Sequence, residues 1–293
     1  MANTTVTPTT NALPVVKSLL QTPDVIKRFN ETLGKKAPQF MTSLINVVAG
    51  STELQKSDVN SIMSSAFKAA AFDLPIDQNL GFSAIVPYNS SRKDAQGNWT
   101  KVSLAQFQIM WRGFVQLAIR TGEYEEMNCS EVYEDEIIFY NPIKGKCEFV
   151  KDFTQTTQRK TGQKDKVAGY YAYFKLKSGF EKELYMSKEE IEQHALTYSQ
   201  SYRSDKEKGK QTSKWTTDFD AMGRKTVIKM ILSKWGILSI EMQKALESDQ
   251  EVFEPDGSST YADNQPDIVE AQDVLNQPID TTATEIEEVD ITM

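Results

Sequence analysis

Apolar positions in the first quarter of the chain recur at helical spacing. Val25, Ile26, Phe29 and Leu33 share one face, Thr22 and Pro23 supply an N-cap followed by proline in the first turn, and Gly34 closes the segment. A second helix is expected over residues 38–49. A third follows Ser57, read as its cap with Asp58 behind it, and Ile62, Ala66, Ala69 and Ala70 form its apolar side. From Phe82 the period changes to two. The run FSAIVPY, the turn-rich SSRKDAQGN and residues 101–109 read as a hairpin with a long tip. A short helix over 111–121 stops at Gly122. Further strands are expected at 129–132, 137–140, 147–153, 168–177 and 180–186, the last two joined by the tight turn Ser178-Gly179. Alternation puts Tyr171 and Tyr173 on one face, most simply the buried one, and Glu181 and Glu183 on the wet side. Ser187-Lys188-Glu189-Glu190 is a capping box that opens a helix to about residue 198. Residues 199–213 are charged and Lys-rich, expected to be mobile until an anion orders them, and helices come after them over 217–235 and 240–246. The pattern is α+β: N-terminal helices, a central antiparallel sheet, and C-terminal helices.

Composition divides the chain further. Residues 1–240 carry 32 Lys and Arg against 26 Asp and Glu, whereas residues 241–293 carry one Lys against 15 acids, so the formal net charge of −8 conceals a basic body. The tail is poor in core formers and rich in Thr, Asp and Pro, which predicts disorder from 248 to 293. With a polar start, the expected division is a disordered 1–12, a folded 13–247 and a flexible acidic 248–293. No apolar run approaches the roughly 20 residues of a membrane span, and a cytoplasmic location is expected. Cys129 and Cys147 stand alone, without disulfide or zinc spacing.

Enzyme templates fail in turn. There is no phosphate-binding G-x-x-x-x-G-K-[ST] and no G-x-G-x-x-G. His194 is the single histidine, in a helix after Glu189, Glu190 and Glu192, and reads as a solvated or half-buried helix residue. Glu181-Lys182-Glu183 offers acids on a strand, the minimum for a Mg²⁺-dependent nuclease, but their alternation fits a solvated hairpin face better. Binding chemistry is better supplied. Between Lys144 and Lys182 ten Lys and Arg face four acids, and between Arg203 and Lys234 nine face four, interleaved with Tyr170, Tyr171, Tyr173, Tyr198, Tyr202 and Trp215. Cations with aromatics suit a nucleic-acid backbone. On the helix to Trp235, Arg224 lies among Val227, Ile228, Ile231 and Leu232, with Lys225 and Lys229 on its flank. It must pair, with Asp220 one turn back, or reach an anionic ligand.

The blocks AFDLPIDQNLGFSAIVPYN, QFQIMWRGFVQLAIRTGEYEEMNCSEVY, GYYAYFKLKSGFEKELYMSKEEIEQ and SKWTTDFDAMGRKTVIKMILSKWGILSIEMQKAL resemble, in order and spacing, the RecT family of phage and prophage single-strand annealing proteins. They lie within about residues 66–246. The most specific are the hairpin feeding a capped helix and the later W-x-x-x-[FW]-x-x-M-x-[RK]-K-T-x-I, and Trp111-Arg112-Gly113 resembles the family's aromatic-Arg-Gly element. The resemblance implies a β-β-β-α core and ATP-independent annealing of complementary strands in rings or helical filaments. No cofactor is required, with Mg²⁺ entering only as counterion to DNA. The expected partners are single-stranded DNA, the annealed duplex and further copies of the chain, in the cytoplasm of a bacterial host. The residues expected at the strand are Lys101, Arg112, Lys144, Lys146, Arg203, Lys206, Lys210, Lys214, Arg224, Lys225 and Lys229, while Tyr202 and Trp215 either stack on bases or pack between subunits. The tail would serve as a DNA-mimicking screen or as a handle for a phage exonuclease or the host single-strand-binding protein. The competing class is a structural or regulatory scaffold whose basic body is neutralised by its own tail, and salt dependence of strand binding separates the two.

Overall fold

The computed structural model describes residues 11–93, 99–154, 156–249, 251–253 and 259–261. Four helices open the chain: α1 (Ala12–Leu19), α2 (Pro23–Leu33), α3 (Ala37–Ala49) and α4 (Val59–Ala71). The first was not expected from the apolar spacing. It is capped by Asn11, whose side chain accepts from Leu13 N. The cap of α4 is Asp58, not Ser57: the carboxylate accepts from Ser61 N at 2.8 Å, and the Ser57 hydroxyl turns instead to Ser103 at 3.0 Å. Phe29 stacks on Phe67 at 4.5 Å and tilts against Phe40 at 5.6 Å, closing the helical cluster.

α4 also joins this cluster to the first sheet. Strands β1 (Ser83–Lys93) and β2 (Trp99–Ile109) pair antiparallel without a break from Ser83↔Ile109 to Lys93↔Trp99. The tip at 94–98 lies outside the described residues. The small α4 face lets Ser61 and Ser65 reach β2, where Ser61 Oγ accepts from Ala105 N at 2.8 Å and Ser65 Oγ donates to Ala105 O at 3.2 Å. After β2 comes α5 (Trp111–Arg120). It packs so closely on the start of the hairpin that a Cβ at Gly113 would overlap the Phe82 carbonyl oxygen.

The second sheet is built from β3 (Tyr124–Tyr133), β6 (Val167–Leu176) and β7 (Glu181–Ser187), all antiparallel in that order, with the separate hairpin β4 (Ile137–Asn141) and β5 (Lys146–Phe149) between β3 and β6 in the chain. The short helix α6 (Gln158–Thr161) precedes β6. Helices α7 (Lys188–Tyr198), α8 (Gln200–Lys208), α9 (Lys214–Thr217), α10 (Phe219–Trp235) and α11 (Ile240–Ser248) complete the helical set. The capping box of α7 forms as expected. α10 lies across the sheet, and at Gly223 it approaches so closely that a Cβ would stand 2.6 Å from the Tyr170 ring.

Two expectations for the strands are reversed. Tyr170, Ala172 and Phe174 form the fully buried face of β6 under α10, while Tyr171 and Tyr173 take the other, half-buried face. The β4–β5 hairpin covers that second face, with Phe149 on Tyr171 at 5.1 Å and Tyr140 on Tyr185 at 5.3 Å. Glu183 is therefore not on a wet side. It is buried, and accepts from Cys147 N and from the Tyr171 hydroxyl.

The single central sheet expected is two principal sheets, and the chain returns to the first of them after α11. β8 (Glu251–Phe253) pairs with β2 at Gln106↔Val252, and β9 (Ser259–Tyr261) pairs with β8. Folded structure thus begins at Ala12 and continues past 247. The expected disorder of 1–10 and of most of the tail falls outside the described residues.

Candidate nucleic-acid interface

A groove of about 860 Å³ lies between the helical cluster, one face of the β1–β2 hairpin and the α8–α9 segment. Its lining is mostly amide and hydroxyl: Ser43, Asn46, Ser51, Thr52, Gln78, Asn79, Gln106, Gln108, Ser199, Gln200, Ser201, Thr212 and Ser213, with Asp77 and Lys214 the charged members. Val86, Pro87, Met222 and Trp215 add apolar surface. Such a floor gives hydrogen bonds to sugars, phosphates and base edges without a fixed array of positive charge. The charge pattern of the sequence predicts instead a groove lined by lysines.

The wall that carries Lys214 and Trp215 is held by one carboxylate. Asp205, buried in α8, accepts from Thr212 N and Ser213 N at 2.8 and 2.7 Å, and from the hydroxyls of Thr212 and Thr216 at 2.6 and 2.8 Å. Burial by itself would raise its pKa, but those donors more than offset it and hold the carboxyl well below the usual carboxylate range. Residues 199–213, expected to be a loop, hold a helix instead: α8 spans Gln200–Lys208, and Asp205 ties residues 212–216 to it. Tyr202 packs behind the wall against Trp215, which edges onto the groove. Their rings are 6.0 Å apart, both are largely buried, and the Tyr202 hydroxyl donates to Glu192 at 2.9 Å.

The remaining predicted residues divide by their neighbours. Lys214 is exposed at the groove. Arg112 is exposed too, and donates to Leu80 O at 3.2 Å, one residue beyond groove-lining Asn79. Its guanidinium lies 5.3 Å from the Trp111 ring, and that of Arg224 lies 5.0 Å from the same ring, so one indole is flanked by two arginines. Arg224 takes Glu131 as its ion-pair partner at 3.1 Å; Asp220, the partner expected from helical spacing, accepts from the Tyr170 hydroxyl at 2.8 Å instead. Lys101 is exposed on β2. Lys144 and Lys146 sit apart on the β4–β5 hairpin, where Lys146 is committed to Glu181 and Glu183 at 2.9 and 3.0 Å. Lys206 pairs with Glu192 at 2.7 Å, Arg203 is half-buried, and Lys210 is exposed just beyond the end of α8.

Lys225 and Lys229 are the clear departure from expectation. Both reach Asp249 at 2.9 Å, and its buried carboxylate also accepts from Ile109 N at 3.0 Å. Lys225 is itself buried, so its ammonium is not available at the surface. Desolvation would raise the Asp249 pKa, and the two ammonium groups bring it below the ordinary value. Asp249 and Asp205 are the organising residues that sequence reasoning missed. For Asp205 a signal existed in Ser213-x-x-Thr216, a capping pattern that marks a fixed turn; for Asp249, inside an acidic run, there was none.

Nucleophilic chemistry is poorly supplied. Burial pushes the Cys129 and Cys147 thiols up to about 12. His194 is half-buried against Tyr198 at 4.6 Å, and desolvation with nearby Lys229 lowers its pKa. Among the described residues no helix is long and apolar enough to cross a membrane.

Comparison with known proteins bears on this arrangement. The profile of the RecT family matches residues 38–267. The chain is also 41% identical over 249 residues to the uncharacterized protein YqaK of Bacillus subtilis (strain 168), an alignment covering 85% of this chain and 77% of that one.

Proposed function

We propose that this chain, which belongs to the RecT family, is an ATP-independent single-strand annealing protein of homologous recombination, acting in rings or filaments in a bacterial cytoplasm. One DNA strand lies in the groove. Lys214 and Arg112 meet its phosphates, while the amides and hydroxyls of the floor hold the strand extended with its bases open to a complement. Pairing itself supplies the driving force, at about 1.4 kcal/mol per stacked step, so no nucleotide need be hydrolysed and Mg²⁺ enters only as counterion to DNA. A nearly neutral floor suits this task, because the product duplex must leave a site that a dense lysine array would hold tightly. The observation that carries the reading is the open groove with a cation and an aromatic on a wall fixed from behind by Asp205. The acidic tail is assigned as a handle for a phage exonuclease or the host single-strand-binding protein.

The test is annealing of two dye-labelled complementary oligonucleotides in the absence of nucleotide, with a non-complementary pair as control. Acceleration of the complementary pair alone, by a protein whose strand binding weakens steeply with salt, is the expected result. Shortening of end-labelled DNA in Mg²⁺ would replace the reading with a nuclease, and salt-independent assembly without strand binding would replace it with a scaffold.

A further inference from the structure

Trp235 ends α10, and 38% of its surface is exposed. Two cations lie over its ring: Lys182 Nζ at 4.7 Å and Lys234 Nζ at 5.8 Å from the centroid. The β4–β5 turn reaches the same place. A Cβ at Gly145 would stand 3.0 Å from Lys182 Nζ, and the two residues before it in that turn are exposed Lys144 and Ile143, the latter 96% exposed. Neither Lys144, Lys182 nor Lys234 has a carboxylate partner among the described residues. The nearest acids along β7, Glu181 and Glu183, alternate to the opposite face of the strand and are already engaged by Lys146.

An exposed indole beside two cations, with a third lysine on the adjoining turn and no carboxylate partner for any of the three among the described residues, is complementary to a polyanion with flat rings. None of these residues lines the groove. We propose that this surface is a second contact for single-stranded DNA, met by the incoming complementary strand: a base stacks on Trp235, and Lys144, Lys182 and Lys234 take the adjoining phosphates. The inference rests on the function proposed above and adds the second strand to it. Stacking on an indole is indifferent to base identity, as a surface that delivers any complement requires.

The experiment separates the two strands. The full-length protein is loaded with a labelled first strand, whose affinity is read by anisotropy, and the annealing rate is then read after a complement is added. Trp235→Ala and the double change Lys182→Gln with Lys234→Gln should leave first-strand affinity within about twofold. Each should slow annealing about tenfold, the fold-change of one lost stacking or paired-phosphate contact. Trp235→Phe, which keeps an aromatic face and guards against a folding artefact, should retain most of the rate. Wild-type annealing by the Ala and Gln variants overturns the proposal, even if a protein partner or a second copy is then found to bind there. So does an equal loss of first-strand binding, which would place these residues in the first-strand site. Lys214→Ala, by contrast, should weaken the first strand. Failure of the wild-type protein to bind any strand would sink the functional reading itself.

Discussion

Lys214 and Lys225 belong to one basic run in the sequence and have opposite fates. Lys214 stands on the rim of an open groove with its charge turned to solvent, whereas Lys225 is buried and shares the Asp249 carboxylate with Lys229. In both cases a buried aspartate organises the region. Asp205 collects backbone and hydroxyl donors and leaves the neighbouring lysine available; Asp249 takes the lysines themselves. A surplus of cations in the sequence thus does not identify an exposed cationic face, because the carboxylate that cancels part of it comes from elsewhere in the chain.

The contrast can be broken hardest at Asp249. Asp249→Ala leaves two ammonium groups beside a buried site and an unpaired amide at Ile109, a change expected to cost about 3–5 kcal/mol in unfolding free energy by denaturant titration. Truncation after Ser248 should cost a similar amount, while truncation after Tyr261 should cost little. Unchanged stability of both Asp249→Ala and the Ser248 truncation would show that the triad does not hold the fold.

Strand binding sharpens the contrast next. Lys214→Ala should lower single-strand affinity about tenfold and reduce the salt slope by about 0.7, the share of one phosphate. Lys225→Ala should lose stability, while the folded fraction keeps the wild-type salt slope. Exchange of these two phenotypes would reverse the assignment.

Acid provides the third lever. Both aspartates have depressed pKa values, so the stability they contribute is present above the unfolded carboxylate pKa, near 3.9, and is lost as pH falls through the lower folded values. Asp249→Asn should therefore be less stable at neutral pH yet show a shallower further decline below about pH 4 than the wild type. Parallel acid profiles would dissociate the carboxylate from the effect. The smallest change is expected at Lys206, whose pair with Glu192 is half exposed: Lys206→Ala should shift stability by no more than about 1 kcal/mol and strand affinity less than Lys214→Ala does.

Local signals made much of the fold legible. The helix-to-strand change of period near Phe82, the Ser178-Gly179 hairpin, the capping box at Ser187 and the helix to Trp235 are written in adjacent residues, and all are present. The features that could not be read depend on distant segments. Tyr170 rather than Tyr171 is buried because α10 covers one face of β6 and the β4–β5 hairpin the other. Glu183 is buried under that same hairpin. The partner of Arg224 comes from β3 and that of Lys225 from beyond α11, contacts that no helical spacing encodes. The groove was half legible: Lys214, Trp215 and Arg112 could be named, but its neutral floor could not, since Ser43, Asn46, Gln106 and Gln108 carry no signal until three segments meet.

Lysine acylation footprinting with and without a bound oligonucleotide, read residue by residue by mass spectrometry, tests the division directly. Lys214 should label readily in the free protein and become protected when single-stranded DNA is added, while Lys225 should resist labelling in both states. Labelling of Lys225 in the free protein followed by its protection by DNA, with Lys214 unaffected, would contradict the account.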